Sequence, residues 1–307
     1  MKKICLFGAG RVGESTAQIL ANQELCQEVV LIDIEEGMAR GTALDLQESA
    51  PLFGFDTKVT GNVQGEAISG AELVIITAGV PRKPGMSRSD ILDINARVVS
   101  DILDGVMQYA PDAMILMVTN PVDVMTYVAW QKTGWPRRRI FGLSGVLDAA
   151  RMASFIALET GFSIKDVTAL VLGGHGDSMV PMPRFTTING IPIEHFMSAE
   201  AIERIVQRTR NGGAEILSLK KTSSANDSPA AAIAVMVDAI RHNRRRLLPC
   251  VGILDGEYGH RDIAVGVPSV LSGDGLERIV ELPLTEQERQ LFEGSVAQVK
   301  EDVGHLF

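Results

Sequence analysis

The chain reads as an α/β protein, with a doubly wound parallel sheet over residues 1–144 followed by an α+β domain over residues 145–307. Three observations predict this. Short, continuously apolar runs alternate with helical patterns through the first half. A glycine-rich turn joins the first run directly to the first helix. The rhythm then changes after about residue 144, where strand and turn signals mix with longer helices.

The apolar runs at residues 4–7, 29–33, 73–77, 114–119 and 139–143 are predicted strands. Each is short and lacks polar alternation, as expected where a sheet is covered on both faces. Residues 12–23, 38–49, 89–109 and 122–133 carry helical periodicity between them. Strands alternating with helices imply right-handed crossovers and a parallel sheet. In the second half, helices are predicted over residues 147–160, 199–219 and from about 229 to 242. A hairpin is expected over 247–271, turning at Gly256 and Gly259, and Thr285 with Glu288 predicts a capping box on the last helix. This half is expected to have its own core, packed closely against the first because no flexible linker separates them.

Gly8-Ala9-Gly10-Arg11-Val12-Gly13 is a GxGxxG turn after a predicted strand and before a predicted helix. Gly8 would make the tight turn, Gly10 would admit a pyrophosphate to the backbone, and Gly13 would let helix and strand pack closely. Asp33 follows twenty residues after Gly13, at the end of the second strand. An acid there binds the ribose hydroxyls of NAD and repels a 2′-phosphate, so NAD is expected over NADP. The alternative is a tight turn with an unrelated acid.

Thr119-Asn120-Pro121 ends a strand where open sheets bind ligands. Asn120 is either a donor to a substrate oxygen or to the nicotinamide side, or a helix-entry residue ahead of Pro121. Asp148 and Arg151 share a helix face. They are either an exposed ion pair or a histidine-orienting acid beside a carboxylate clamp. His175 sits in Gly173-Gly174-His175-Gly176-Asp177, framed by glycines that expose its ring. It is the candidate acid–base group; Asp177 suits a turn. His195, His242, His260 and His305 lack that framing and are expected on the surface.

Gly79-Val80-Pro81-Arg82-Lys83-Pro84-Gly85-Met86-Ser87-Arg88 cannot be regular structure, and it carries two arginines. An arginine fork matches a carboxylate, so the segment suggests an anionic small molecule; a solvated basic loop is the plainer reading.

The formal net charge of −9 and the lack of a dominant basic tract argue against nucleic-acid or membrane-surface partners. The runs 137–139 and 244–246 are short enough for solvated faces or anion contacts. Three cysteines, Cys5, Cys26 and Cys250, fit neither a disulfide set nor a metal cage. Reduced, buried thiols and a cytoplasmic setting are expected. The histidines and cysteines form no metal-ligand spacing. No apolar run approaches the roughly 18 residues of a membrane span, and no targeting segment is visible.

FGAGRVG, TAGVPRKPGMSR, TNPVD, GVLDAARM and LGGHGDSMVP, in that order, resemble the lactate/malate dehydrogenase family over essentially the full chain. They are most similar to its lactate-dehydrogenase-like branch of bacterial malate dehydrogenases. The resemblance implies a Rossmann-type dinucleotide-binding domain (1–144), a substrate domain (145–307), NAD as cofactor, a small dicarboxylate substrate and a homotetramer or homodimer. Residues 39–49 form a candidate interface helix, although the composition also suits a core helix. It further implies that His175 carries the substrate proton, Asp148 holds its imidazole and Arg151 binds the carboxylate beside the reacting carbon. Arg88 would enter with a closing loop to polarise the carbonyl. Asn120 would bond the substrate. Gly8, Gly10, Arg11, Val12, Gly13, Asp33, Asn95, Val118 and Asn120 would contact the cofactor.

Arg82 falls where lactate enzymes of the family commonly carry Gln and malate enzymes Arg. An arginine about 4 Å from a second carboxylate contributes roughly 4 kcal/mol at an effective dielectric near 20, on the order of a thousandfold in discrimination. Malate is therefore the expected substrate, with lactate or a broad range of 2-hydroxy acids as the alternative.

Two departures stand out. Ser223-Ser224-Ala225-Asn226-Asp227 replaces a Gly-Ser-Ala-Tyr-Tyr pattern that borders the substrate pocket in this branch, and Ser144 stands where Ala is expected. Both bear on affinity or subunit contacts. Among other nucleotide-binding classes, family 4 glycosidases need a metal. Short-chain reductases need Tyr-x-x-x-Lys, and Tyr109, Tyr127 and Tyr258 are instead followed four positions on by Ala113, Gln131 and Asp262.

Overall fold

The computed structural model describes residues 1–63, 65–80, 88–221 and 223–307, without the side chain of Arg88. In the first half, strands β1 (Lys3–Phe7), β2 (Glu28–Ile32), β3 (Lys58–Asn62), β4 (Leu73–Ile76), β5 (Met114–Met117) and β6 (Ile140–Gly142) alternate with helices α1 (Arg11–Asn22), α2 (Glu36–Phe53), α3 (Arg88–Tyr109) and α4 (Val122–Thr133). The six strands are parallel, in the order β3-β2-β1-β4-β5-β6. The order reverses between β1 and β4, and such a switch point leaves a crevice at the carboxyl ends of the strands.

The continuously apolar strands follow from a sheet buried on both faces. Ile4, Leu6, Val29, Leu31, Leu73 and Ile75 point to one side, with Leu20 of α1, Ala43 of α2 and residues of a later helix. Cys5, Phe7, Val30, Ile32, Val74 and Ile76 point to the other, against α3 and α4. The period of two in each strand thus splits one apolar run between two cores. β3 escaped the sequence reading because Lys58-Val59-Thr60-Gly61-Asn62 is an edge strand with only Val59 buried.

The second half contributes α5 (Gly145–Thr160), the two-residue strands β7 (Val167–Thr168), β8 (Val171–Leu172), β9 (Val180–Pro181), β10 (Thr187–Ile188) and β11 (Ile191–Pro192), then α6 (Ala199–Lys220) and α7 (Asp227–Arg241). β12 (Arg246–Asp255), β13 (Arg261–Ser272), β14 (Gly275–Ile279) and α8 (Glu286–Leu306) close the chain. Thr285 and Glu288 form the expected capping box, each side chain accepting from the other's N–H.

The expectation that the second half has its own core holds only in part. The antiparallel β12-β13-β14 meander continues the first-half sheet through β6, pairing Val251 with Gly142. Ile233 and Val237 of α7 then share the core of α1, while Phe292 and Val296 of α8 share that of α3 and α4. A third apolar cluster, around Met152, Ile156, Ile193 and Ile205, is drawn from the second half alone.

Of the two arginine runs, 244–246 is a solvated face as expected, whereas Arg137 and Arg139 of the other bond main-chain carbonyls. Arg137 reaches Ile253 O and Glu257, Arg139 bonds Ala113 O and stacks on Trp135, and Arg244 and Arg245 pair with Asp238 and Glu277. The three cysteines are free and buried, and burial pushes each thiol up to about 12. His260 departs from the surface expectation: its side chain is largely covered, beside Phe292 and bonded to Glu293 at 3.1 Å. No helix among the described residues is long and apolar enough to cross a membrane.

Candidate active site

The turn after β1 is shaped by contacts that leave no room for a side chain. Gly8 has φ +102°, and a Cβ there would stand 2.7 Å from Thr77 Oγ1 and 2.9 Å from Ala78 N. A Cβ on Gly13 would come within 1.8 Å of Gly8 O, which brings the start of α1 against the turn. Gly10 differs: a Cβ there would meet nothing within 4 Å. Its small size therefore serves no packing need within the chain and leaves the main chain open to a ligand at the N-terminus of α1.

Asp33 leaves the end of β2 with one oxygen bonded into this cradle and the other to its own loop. Oδ2 accepts from Ala9 N at 2.8 Å and Oδ1 from Glu35 N at 3.0 Å. Each oxygen keeps a lone pair for a ribose hydroxyl. Arg11 lies on the exposed face of α1, donating to Ser223 Oγ at 3.1 Å, and Val12 is half-buried against the core. The cradle thus fits a dinucleotide.

The chain crosses from β5 to α4 beyond the end of β4, where Thr119 Oγ1 donates to the O of Ala78, a residue that also adjoins Gly8. Val118 N and Thr119 N both donate to Ile76 O, so β5 stays paired with β4 up to the site. Asn120 follows, exposed, joined to Pro121 by a cis bond. Asn95, buried on α3, accepts from Val80 N at 2.8 Å and donates to Asn120 O at 2.7 Å. It braces the start of the arginine-bearing segment against the Asn120 loop. Arg82 lies outside the described residues, and so does the side chain of Arg88.

The acid–base candidates converge on one buried carboxylate. Asp148, fully buried in the first turn of α5, accepts from Arg151 Nη1 at 2.9 Å through Oδ1 and meets His175 Nδ1 at 2.7 Å through Oδ2. This excludes the exposed-pair reading of Asp148 and Arg151. Burial alone would lower the His175 pKa. The charge and hydrogen bond of Asp148 oppose it, and the net direction is upward from the ordinary value. His175 Nε2 has no partner among the described residues. Nor has the buried Arg151 Nε, which lies against Gly212 of α6. Gly212 of α6 makes room for this arginine, since a Cβ there would stand 3.2 Å from Arg151 Cδ. Asp177 sits on the exposed turn after His175.

Two buried polar residues near His175 were absent from the sequence reading. His175 N donates to Asp123 Oδ2 at 2.8 Å, and Gly174 N to Ser295 Oγ at 2.7 Å. Asp123 left one signal, an acid among the apolar positions of Val122-Asp123-Val124-Met125. Ser295 left none. No group of His, Cys, Asp and Glu able to hold a metal occurs among the described residues.

The departing stretch 223–227 turns toward α1 rather than His175. Besides Ser223 on Arg11, Asn226 Nδ2 donates to Ser15 Oγ at 3.2 Å, and Ser15 Oγ to Asp227 Oδ1 at 3.4 Å. Ser144 is buried, its Oγ filling space that a Cβ on Gly266 would contest at 2.7 Å.

The chain as a whole is similar to known proteins. The family model for the NAD binding domain of lactate/malate dehydrogenase matches residues 2–142, and that for the alpha/beta C-terminal domain matches residues 145–307. The chain is 63% identical to a malate dehydrogenase of Thioalkalivibrio sulfidiphilus over 306 residues, covering 100% of both chains. It is 62% identical to one of Nitrosococcus oceani, covering 100% of this chain and 98% of the other. The malate dehydrogenase structure from Salinibacter ruber superposes with a TM-score of 0.95 at 42% identity, covering 99% and 97% of the two chains. The lactate dehydrogenase of Cryptosporidium parvum, complexed with lactic acid and NAD, also reaches 0.95, at 37% identity over 99% and 98%. The chain belongs to the lactate/malate dehydrogenase family.

Proposed function

We propose that the protein is an NAD-dependent malate dehydrogenase, interconverting (S)-malate and oxaloacetate. The observation that carries this reading is Asp148 joining His175 and Arg151. A 2-hydroxy acid presents its hydroxyl and its carboxylate on adjacent carbons. A proton carrier and a carboxylate clamp must therefore stand side by side, and a single buried acid fixes both.

In the oxidation direction, neutral His175 takes the hydroxyl proton at Nε2. Asp148 holds the ring through Nδ1 and offsets the imidazolium charge. Arg151 binds the carboxylate next to the reacting carbon through its guanidinium, and Arg88 polarises the developing carbonyl. Asn120 donates to a substrate oxygen. Gly8, Gly10, Arg11, Val12, Gly13 and Asp33 hold NAD, with Asn95, Val118 and Asn120 on the nicotinamide side. NAD, when bound, supplies the hydride acceptor, and its reduced form the donor for the reverse reaction. Three buried thiols support a cytoplasmic setting. Apolar Met38, Leu44, Leu52 and Phe53, exposed along α2, support a homo-oligomer, to be sized by sedimentation at micromolar concentration.

The fold does not separate malate from lactate, since relatives bearing both names superpose equally well. The choice rests on Arg82, which pairs with the second carboxylate of oxaloacetate and would be left without a partner by pyruvate. Steady-state rates with NADH test this. Oxaloacetate should exceed pyruvate by on the order of a thousandfold in kcat/KM, and Arg82→Gln should narrow that ratio. A preference for pyruvate in the unaltered protein would overturn the assignment.

A further inference from the structure

Asp123 is a buried carboxylate that the mechanism above does not use. It lies in the first turn of α4 among the core residues Val122, Val124 and Met125, 3% exposed. One oxygen accepts the His175 N–H at 2.8 Å; the other, Oδ1, has no partner among the described residues. A carboxylate so placed costs free energy that an apolar residue would avoid, so packing does not account for it. Burial pushes the carboxyl up to about 6, opposed by the His175 N–H and imidazole. The first-turn N–H groups of α4 favour negative charge at that end of the helix.

The neighbouring main chain is held just as closely. Gly174 N donates to the buried Ser295 of α8, and a Cβ on Gly174 would stand 3.5 Å from Asp123 Oδ2. Two successive N–H groups are therefore fixed by buried side chains of α8 and α4, while Asp148 of α5 fixes the ring. Among the described residues, the charged groups that bear on His175 are Asp148 and Arg151 from α5 and Asp123 from α4.

We propose that Asp123 is a second positioning carboxylate for His175: it anchors the histidine's main chain, and its charge adds to that of Asp148 in the field at the imidazole. The inference rests on His175 as the proton carrier. A buried charge with an idle oxygen is then retained because it fixes where Nε2 points.

Asp123→Ala, Asp123→Asn and His175→Asn, measured beside the unaltered enzyme, test it. Misplacement of a reacting group by about 1 Å costs on the order of a hundredfold in rate. Asp123→Ala should lose about that much kcat while KM for oxaloacetate moves less than about threefold. Asp123→Asn keeps an acceptor for the N–H and should recover most of the loss. Its His175 ring, followed by NMR of histidine-labelled protein without cofactor, should titrate at lower pH than in the unaltered protein. That readout remains if the alanine variant does not fold. Wild-type kcat in both Asp123 variants would overturn the proposal. So would an unchanged His175 midpoint in Asp123→Asn, or a loss that Asp123→Asn shares in full with Asp123→Ala. Should His175→Asn retain turnover, the underlying reading of the proton carrier fails instead.

Discussion

The turn between β1 and α1 and the corner around His175 are built in different ways. The turn takes its glycines from one short stretch and works through its main chain: Gly8, packed on Thr77 and Ala78, and Gly13 close it, Gly10 leaves it open, and Asp33 ties it to β2. The corner draws on α4, α5, the loop after β8 and α8, and it works through side chains. Binding a pyrophosphate needs many weak main-chain donors in a fixed curve. Moving one proton needs a single ring atom held in place, and each constraint on it comes from a distant part of the chain. Damage to the turn should therefore appear in cofactor affinity and stability, and damage to the corner in kcat.

The largest effect expected is at the corner. His175→Asn should lower kcat by between about a hundredfold and ten-thousandfold, with NADH affinity unchanged by fluorescence titration. Reduction of oxaloacetate requires the protonated ring and malate oxidation the neutral one. Because the His175 pKa is raised, reduction should persist above pH 6.5 and fade only as pH climbs through the raised value. Asp148→Asn should move that limb to lower pH. An altered NADH affinity in His175→Asn would break the separation between the two regions.

The same contrast explains what the sequence reveals. The turn is legible because Gly8, Gly10, Gly13 and Asp33 carry their spacing along the chain. His175, Asp148 and Arg151 are legible as types, through flanking glycines and a shared helix face, but their meeting is a tertiary fact. Asp123 and Ser295 lie 52 and 121 residues from the N–H groups they accept, and no local pattern marks the connection. The sheet repeats this lesson. β1, β2, β4 and β5 are apolar runs that announce burial on both faces, whereas β3 is a polar edge. The pairing of β12 with β6 joins Val251 to Gly142, a register that periodicity within either strand does not encode.

A middle-sized effect concerns the cost of building the corner. Asp123 has an ordinary carboxyl pKa of 3.8 when unfolded and about 6 when folded. Between those values the folded protein binds more protons, so stability falls as pH rises through the window. The full difference is about 3 kcal/mol, reached above pH 6. Asp123→Asn lacks this dependence. Denaturant unfolding from pH 4 to 8 should therefore show the unaltered protein losing stability relative to Asp123→Asn as pH rises. Parallel curves would mean that the corner carries no such cost.

The smallest effects divide the turn against itself. Gly13→Ala places a methyl group against Gly8 O, and main chain on both sides must shift; overpacking of this kind costs about 1–3 kcal/mol, visible as a lower Tm without ligand. Gly10→Ala, at the extended N-cap of α1, meets no atom of the chain, so it should lower Tm by less than Gly13→Ala does. Its methyl instead occupies the space a pyrophosphate would take, so NADH affinity should fall about tenfold, or roughly 1.4 kcal/mol. Equal losses of Tm in both variants would show that Gly10 serves packing. A Gly10→Ala protein with full NADH affinity would show that the phosphates bind elsewhere than at the N-terminus of α1.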